Sequence, residues 1–301
     1  MSRILIHGAS GNIGNLLYCS FSKKTSNNIF GTFNTRKINN NFIKCPEDPI
    51  KMLELQKKMD ILILSTNPNK KSTQENSLIY IKNYLKNVEL SLNNLSDNTK
   101  LVILLSSCTT YHKSNRILSE KDIDYTKTPA SPYKNIGDAL KKAELLVKFK
   151  CNKLKIKYLI LRVSSVYGIG ANNINLPGVI PDLIKQFSDI GNKIINISGS
   201  SLSKRNFINI NDVVQIISDL MNQYKIVNKT INICSPKNIS IKQLAGIINN
   251  TLNVKKVYTF ENDLTINSRS VVSDYNFINK RKYIKLSNGI ISLYSNCAQH
   301  G

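Results

Sequence analysis

Three glycines stand three residues apart near the start of the chain, in the stretch GASGNIG of residues 8–14. The stretch follows an apolar run typical of a buried strand and precedes a segment with helical periodicity. A glycine-rich turn in this context lets backbone amides and the positive end of the helix face a pyrophosphate. The spacing therefore predicts a dinucleotide-binding loop, and the alternative is a tight turn without a ligand. The candidate residues of this loop are Gly8, Ser10, Gly11, Asn12, Ile13 and Gly14.

The end of the second predicted strand bears on the choice of dinucleotide. A carboxylate at this place would bind the ribose hydroxyls of NAD. The chain reads GTFNTRK here, with Asn34, Thr35 and Arg36 and no acidic residue. A guanidinium at Arg36 suits the 2′-phosphate of NADP, which no nearby carboxylate would repel. The sequence therefore favours NADP, with Asn34 and Arg36 as candidate contacts, and NAD is the alternative. Otherwise Arg36 is one exposed charge among many.

The elements that must position these residues alternate regularly along the first half of the chain. Six strand-like apolar runs, from RILIHG to KYLILRVSSVYG, are separated by segments with helical periodicity. Nearly all-apolar strands between helices indicate a parallel sheet that is covered on both faces. The predicted fold class is therefore a Rossmann-type, doubly wound α/β fold with a smaller, interleaved C-terminal region.

The pattern loosens in the second half of the chain, although further helices and strands are still legible there. We therefore predict a dinucleotide-binding Rossmann domain over residues 1–166. Residues 167–301 are expected to form mainly a substrate-binding region, with some segments that return to the sheet.

Composition restricts the class of protein and of partner. The chain has 301 residues and a formal net charge of +23, but the basic residues are scattered, which argues against a nucleic-acid partner. A basic surface still attracts anionic small molecules. No apolar run approaches the roughly 20 residues of a membrane helix, and no signal-peptide layout opens the chain. The six cysteines lack the spacing of a metal or redox pair, so we expect a cytoplasmic setting and no metal site.

Several motifs together resemble one family, the extended short-chain dehydrogenase/reductases that act on nucleotide sugars, or NAD(P)-dependent epimerase/dehydratase group. Their order and spacing are similar over almost the whole chain. The resemblance implies a Rossmann fold, a nicotinamide cofactor and a nucleotide-sugar substrate. Besides the glycine loop, the segments that carry it are DILILST, LLSSCTTYH, SPY, LRVSSVYGIG, PGVIPDLIKQ, SKRNFININDV and TINICSPKNISIKQLAGII.

The resemblance also implies two catalytic residues, Ser107 and Tyr133. In the family, the hydroxyl that matches Ser107 hydrogen-bonds the reacting oxygen of the substrate. The tyrosine that matches Tyr133 exchanges the proton as hydride moves, and it also contacts the cofactor. A lysine four residues after this tyrosine lowers the pKa of the phenol and holds the cofactor ribose. The chain has Gly137 at that position.

Gly137 leaves the expected active site without its cation. Lys134 should point away from Tyr133 on a helix, and Lys141 lies about 12 Å along the axis, so neither is a convincing substitute. A glycine inside a helix costs about 1 kcal/mol relative to alanine, and the sequence offers no structural reason for it. On this view Gly137→Lys should raise the rate. The alternative is a catalytically impaired relative that keeps its cofactor pocket.

The resemblance places further substrate contacts in the second half of the chain. Arg205 in KRNFI matches an arginine that grips the nucleotide diphosphate, which a guanidinium binds with two hydrogen bonds. Ser165 matches a polar contact to the sugar, and Ser107 would touch the substrate as well. Weaker candidates are Lys204, Arg269 and Asn83.

The predicted function is an NADP-dependent oxidoreductase that acts on a nucleotide-linked 4-keto sugar. The missing carboxylate after the second strand favours net reduction. An epimerase or dehydratase with bound NAD and an impaired cofactor-binding relative remain alternatives, and only the charge supports a nucleic-acid-binding protein. Apolar faces around residues 75–95 and 132–150, at places where the family forms a four-helix interface, predict a homodimer.

Overall fold

The structure, a computed structural model, describes residues 2–24, 28–33, 42–44, 54–66, 74–130, 133–191, 193–222, 226–261 and 268–300. Strands and helices alternate in the first half, as the sequence predicts. These elements are β1 (Ile4–His7), α1 (Asn12–Lys24), β2 (Ile29–Phe33), β3 (Phe42–Lys44), β4 (Ile61–Leu64), α2 (Gln74–Asn93), β5 (Leu101–Ser107), α3 (Lys134–Leu154) and β6 (Lys157–Val163).

The second half holds shorter strands and further helices. They are β7 (Ser165–Tyr167), α4 (Val179–Ser188), β8 (Ile194–Ile197), β9 (Lys204–Asn209), α5 (Ile210–Asn222), β10 (Lys229–Ile233), β11 (Asn238–Ser240), α6 (Ile241–Leu252), β12 (Val257–Phe260), α7 (Asn276–Asn279) and α8 (Leu286–His300). The helix α6 begins with a capping box, in which the Ser240 hydroxyl accepts from the Gln243 amide and the Gln243 side chain accepts from the Ser240 amide.

The main sheet has seven strands in the order β10-β6-β5-β4-β1-β2-β3. The β2–β3, β1–β2, β1–β4, β4–β5 and β5–β6 pairs are parallel. All residues of β1 and β4 are buried, as expected for strands with helices on both faces. This is the doubly wound order of a Rossmann fold, whose strand order reverses between β1 and β4. The predicted fold class is confirmed.

Two smaller sheets lie outside the main sheet. One has the order β11-β9-β7, with β7 parallel and β11 antiparallel to β9. The other pairs β8 with β12 in parallel. The side chains of β8 alternate between exposed and buried, which gives that small sheet one face toward the apolar core and one toward solvent.

The chain divides into two compact units, each made of three segments. The first comprises residues 1–112, 123–163 and 214–231, and the second comprises residues 113–122, 164–213 and 232–301. Each unit has its own apolar core, which contains Leu62 and Val102 in the first and Phe187 and Leu244 in the second. The assignment of residues 1–166 and 167–301 to cofactor and substrate stays a prediction about function. Within the described ranges, no helix has both the length and the apolar character that crossing a bilayer requires.

Candidate functional site

The glycine loop begins directly after β1 and depends on the backbone freedom of Gly8. Its φ is +79°, a conformation that residues with a Cβ rarely adopt. A Cβ on Gly8 would also stand 3.0 Å from Thr66 Cγ2 and 3.1 Å from the carbonyl oxygen of Ser65. The Gly11 amide donates to the Gly8 carbonyl at 3.0 Å, which closes the turn. This turn delivers the chain to the first residue of α1.

Gly14 and Gly11 have different surroundings. A Cβ on Gly14 would overlap the carbonyl oxygen of Gly8, so Gly14 permits close packing of α1 on the loop. Gly11 is exposed, and the only contact that a Cβ there would meet within the described residues is Gly8 O at 3.2 Å. The backbone at the start of α1 is therefore open to an approaching group. Ser10 and Ile13 are half-buried and Asn12 is exposed.

The loop fits the pyrophosphate of a dinucleotide. The first amides of a helix have no partner within it, and they carry a partial positive charge that favours an anion. Here they follow a left-handed glycine and lie beside the exposed Gly11. The loop also lies at the carboxyl end of β1, next to the point where the strand order reverses, and ligands of open α/β sheets bind at such points.

His7, a buried histidine at the end of β1, is linked to the glycine loop through the Thr32 hydroxyl. We did not predict this residue from the sequence. His7 Nδ1 lies 3.3 Å from Thr32 Oγ1, and Thr32 Oγ1 also accepts from the Gly8 amide at 3.2 Å. His7 Nε2 lies 3.4 Å from Gln56 Oε1. Burial lowers the pKa of His7 to about 4, so the ring is neutral at pH 7. The signal in the sequence is a lone polar residue at the end of an apolar strand.

Asn34 and Arg36 lie outside the described residues. The strand β2 that precedes them is described and ends at Phe33. The preference for NADP therefore stays a prediction.

Ser107 is the last residue of β5 and is half-buried. Its Oγ accepts a hydrogen bond from the Thr109 amide at 3.2 Å, which starts a short 3₁₀ turn over Cys108–Thr110. Thr110 Oγ1 donates to the Ser107 carbonyl at 3.0 Å. The turn thus holds the Ser107 hydroxyl at the carboxyl end of the sheet, where the prediction requires it.

Tyr133 immediately precedes α3 and is half-buried. Its amide donates to the Ala130 carbonyl at 3.3 Å, and its carbonyl accepts from the Gly137 amide at 2.8 Å. Pro132, the residue before Tyr133, lies outside the described residues. Ser107 and Tyr133 both belong to the first unit, as do the glycine loop and α3.

The expectation that Gly137 has no structural reason is wrong. A Cβ at this position would stand 2.5 Å from the carbonyl oxygen of Thr109 and 2.6 Å from Pro129 Cβ. Both distances are far below van der Waals contact, so α3 approaches the 3₁₀ turn and Pro129 more closely than any other residue type allows. The glycine is therefore a packing residue, whatever its effect on the chemistry.

The two lysines weighed as substitutes for the missing cation, Lys134 and Lys141, have different surroundings. Lys134 is exposed. Lys141 is buried, with 3% of its surface exposed, and its ammonium donates to the carbonyls of Asp124 at 2.7 Å and Lys127 at 2.5 Å. Burial lowers the pKa of Lys141. The Lys141 ammonium thus binds two backbone carbonyls, and that it does not serve Tyr133 stays a prediction.

A buried ion pair lies beneath the end of β5. Arg162 Nη2 donates to Glu144 Oε2 at 2.6 Å, and Arg162 Nε donates to Glu144 Oε1 at 2.9 Å, with both side chains fully buried. Burial alone would lower the pKa of Arg162, but the Glu144 carboxylate outweighs burial and raises it. The signal in the sequence is a charged residue inside the apolar run KYLILRV, and it does not identify the partner.

The predicted substrate contacts of the second unit lie on neighbouring strands. Ser165 in β7 pairs with Phe207 in β9, and both Ser165 and Arg205 are half-buried. Arg205 Nη1 donates to the Lys204 carbonyl at 2.9 Å, and the Arg269 amide donates to the same carbonyl at 2.9 Å. A backbone bridge also pairs Arg205 with Arg269. The backbones of Lys204, Arg205 and Arg269 are therefore adjacent in the second unit, and the binding of a nucleotide diphosphate by Arg205 stays a prediction.

Two other sequence predictions concern side chains outside these groups. Asn83 is exposed on α2. Among the residues that the structure describes, no group of His, Cys, Asp or Glu side chains could hold a metal ion.

The strand order and the loop geometry define a Rossmann-type α/β protein. The chain belongs to the NAD dependent epimerase/dehydratase family, whose model matches residues 4–234, and this confirms the resemblance seen in the sequence. A relative, the dTDP-4-dehydro-6-deoxyglucose reductase of Escherichia coli, is 31% identical over 199 residues. That match covers 64% of this chain and 60% of the relative, less than two thirds of its length.

Solved structures share the fold over nearly the full chain. The UDP-glucuronic acid 4-epimerase of Bacillus cereus, in complex with UDP-glucuronic acid and NAD, matches with a TM-score of 0.79 and 20% identity, over 99% of this chain and 100% of that one. The UDP-glucose 4-epimerase of Thermotoga maritima, with UDP-glucose, matches with a TM-score of 0.76 and 18% identity, over 99% of both chains. At such identities the likeness establishes the fold.

Proposed function

We propose that this protein is an NAD(P)-dependent oxidoreductase that acts on a nucleotide-linked 4-keto sugar. The observation that carries the proposal is the glycine loop, in which a left-handed Gly8 and the exposed Gly11 open the start of α1 to a pyrophosphate. Membership of the NAD dependent epimerase/dehydratase family supports it.

The dinucleotide would be held by the loop of residues 8–14, with Asn34 and Arg36 toward its adenosine end. When bound, the nicotinamide supplies or accepts a hydride. We propose NADP as the preferred form because no carboxylate follows β2 and Arg36 stands there. NAD is the second candidate, since the Bacillus cereus epimerase was solved in complex with NAD.

Ser107 and Tyr133 carry the proton chemistry in this proposal. The Ser107 hydroxyl, already oriented by the Thr109 amide, hydrogen-bonds the keto oxygen of the sugar. Tyr133 delivers a proton to that oxygen during reduction, or removes it during oxidation. Arg205, with Ser165 on the neighbouring strand, would bind the nucleotide diphosphate and the sugar.

Reduction is favoured over epimerisation by two observations. The Escherichia coli relative that is 31% identical is a reductase, and the sequence after β2 lacks the acidic residue expected for a permanently held NAD. Epimerisation is the second candidate because the similar Bacillus cereus and Thermotoga maritima proteins are epimerases. An impaired, cofactor-binding relative is the third, since Gly137 supplies no ammonium and Lys141 is committed elsewhere.

We also propose a cytoplasmic homodimer. Large apolar side chains are exposed on both long helices of the first unit, namely Leu78 and Leu90 on α2 and Leu145 and Phe149 on α3. A second copy of the same surface would cover them, as in a symmetric four-helix contact. The cysteines at positions 19, 108, 151, 234 and 297 are free thiols, which suits a reducing compartment.

The experiment that tests the proposed function uses a panel of 4-keto sugars linked to UDP, dTDP, CDP or GDP. Each is incubated with the protein and NADPH or NADH, and the loss of cofactor absorbance is followed. We expect turnover with at least one sugar, which Tyr133→Phe abolishes and Ser107→Ala reduces by about a hundredfold or more. Cofactor binding without turnover of any sugar would instead identify the impaired relative.

A further inference from the structure

One face of α3 carries a row of residues spaced four, three and four apart, namely Gly137, Lys141, Glu144 and Lys148. Residues at this spacing lie one above another on a helix. The chain segment 124–130, called here the strap, runs along this row in the opposite direction before the chain enters α3. The row and the strap therefore form a continuous contact over nearly the whole row.

Each residue of the row contacts the strap. Pro129 lies against Gly137, and the carbonyls of Asp124 and Lys127 accept from the Lys141 ammonium. The hydroxyl of Tyr125 donates to Glu144 Oε2 at 2.9 Å and lies 2.9 Å from the Lys148 ammonium. Among these contacts, Lys141 is the one charged group that binds the strap backbone itself. Its removal would delete the two hydrogen bonds from α3 to the strap backbone, at Asp124 and Lys127, while leaving the ion pair of Glu144 and the contacts of Tyr125 intact.

The same row holds the end of β5. Ser106 Oγ donates to Glu144 Oε1 at 2.6 Å, and the Thr109 carbonyl lies against Gly137. These two residues bracket Ser107, and the Thr109 amide is the donor to its hydroxyl. The place of the Ser107 hydroxyl is therefore set from both sides by contacts with α3.

The strap also connects the turn after Ser107 with Tyr133. The Ala130 amide donates to the Tyr111 carbonyl at 3.1 Å, and the Ala130 carbonyl accepts from the Tyr133 amide at 3.3 Å. Ala130 thus connects Tyr111, in the segment after Ser107, with Tyr133, the residue immediately before α3. If the strap moved, this link would move with it.

We propose that Lys141 and Glu144 are positioning residues, which fix the distance between the Ser107 hydroxyl and Tyr133 by holding the strap and the end of β5 on one face of α3. The inference rests on the proposed function, because it assigns these residues to the placement of the two groups that act on the sugar. Lys141, which the sequence places too far along α3 to substitute for the catalytic lysine, has a different role in this proposal. It places the tyrosine segment instead of supplying a cation to the phenol.

The test compares full-length Lys141→Met with Lys142→Met, which removes an exposed lysine from the same helix turn. We expect Lys141→Met to lower kcat at least tenfold, since a displacement of about 1 Å can cost about a hundredfold in rate. The KM for the sugar and the Kd for the cofactor should stay within about twofold of the parent values. Lys142→Met should change none of these quantities. A folded Lys141→Met protein with the parent kcat would overturn the proposal.

Amide hydrogen exchange provides a second measurement that requires no turnover. In Lys141→Met, the amides of Thr109, Ala130 and Tyr133 should exchange faster, while those of β1 and β2 should keep their protection. Equal acceleration in all strands would indicate a general loss of stability and would contradict a positioning role. If the parent protein turns over no sugar, the proposed function fails, but unchanged exchange at Thr109 and Tyr133 would still refute the inference separately.

Ser106→Ala tests the other half of the proposal, because it cuts the link between β5 and Glu144 without leaving a buried charge unpaired. We expect kcat to fall while both binding constants hold. In the double variant with Lys141→Met the two losses should be less than multiplicative, since both displace the same pair of groups. If the losses in kcat multiply fully, Ser106 and Lys141 act independently, and the proposal that both position the same pair of groups is overturned.

Discussion

Gly137 and Thr109 lie so close that a Cβ on the glycine would stand 2.5 Å from the threonine carbonyl oxygen. The glycine therefore determines how near α3 can come to the turn that orients Ser107. The position at which the family resemblance implies a lysine is occupied by a contact between two backbones. In this chain the position serves close packing.

Gly137→Ala and Gly137→Lys should both destabilise the protein. Overpacking at such a contact costs about 1–3 kcal/mol, which outweighs the gain of about 1 kcal/mol in helix propensity. Urea denaturation of the purified variants measures the difference. We accordingly no longer expect Gly137→Lys to raise the rate, because its side chain cannot enter without moving Thr109 or Pro129.

Gly246→Ala is the matched control, since Gly246 also lies within a helix, α6. A Cβ there would meet only Tyr258 Oη, at an ordinary 3.5 Å. This variant should be more stable than the parent by up to about 1 kcal/mol. A Gly137→Ala protein that is equally stabilised would refute the packing role of Gly137.

Gly14→Ala and Gly11→Ala should separate the packing of the loop from the binding of its ligand. Gly14→Ala places a methyl group on the Gly8 carbonyl and should cost about 1–3 kcal/mol of stability. Gly11→Ala lies at an exposed position, and its methyl group meets Gly8 O at 3.2 Å, farther away than in Gly14→Ala, so it should lower the melting temperature less than Gly14→Ala does. It should nevertheless weaken cofactor binding about tenfold or more, because its methyl group covers the approach to the backbone. Calorimetric titration with NADPH and NADH provides the affinities, and an unaltered Kd for Gly11→Ala would argue against this loop as the binding site.

His7 should make the protein less stable in mild acid. Its pKa is about 4 in the folded chain and ordinarily 6.5, so the unfolded chain binds more protons between these values. The free energy of unfolding should therefore fall as the pH drops from 6.5 to 4, by about 3 kcal/mol for this group. The loss should be smaller by that amount in His7→Gln. Parallel pH curves for the parent and His7→Gln would contradict the prediction.

Arg36→Ala should remove the preference for NADPH over NADH. The guanidinium is expected to pair with the 2′-phosphate, so its loss should weaken NADPH binding about tenfold or more and affect NADH little. Equal affinities of the parent protein for both cofactors would show that Arg36 does not select between them.

Phe149→Glu should convert the proposed homodimer into a monomer. Phe149 is 62% exposed on α3, and a carboxylate there would meet its own image across a symmetric contact. Light scattering at micromolar concentration measures the mass. Ile190→Glu is the control, because Ile190 is 96% exposed on the second unit and outside the two long helices. A monomeric parent protein would exclude the dimer.

The elements of the fold were predictable because apolar strands and periodic helices follow from local pattern. The run RILIHG indicated β1, and KYLILRV indicated β6, since strands with helices on both faces have no polar side. The glycine loop was also predictable, because its residues are adjacent in sequence.

The reason for Gly137 was not predictable, because its partners Thr109 and Pro129 reach it only through the tertiary fold. The same holds for Arg162, whose charge inside an apolar strand signalled a buried partner but did not name Glu144. The sequence placed Lys141 too far along α3 to serve Tyr133, but it did not indicate the carbonyls that bind the ammonium, because these belong to a segment without regular structure. Local pattern thus located the elements, and long-range contacts decided what individual side chains do.

The place of β10 at the edge of the main sheet has a consequence for synthesis on the ribosome. The strand β6 ends at Val163, but its outer neighbour β10 begins only at Lys229. The ribosome adds about 5–20 residues per second, so β10 is translated roughly 3–13 s after β6. Until then, the outer edge of β6 has no neighbouring strand. During that time a largely apolar strand offers unpaired amides and carbonyls to any other nascent chain. Slow translation of the intervening segment would lengthen this exposure, so the yield of folded protein should depend on codon choice between these two strands.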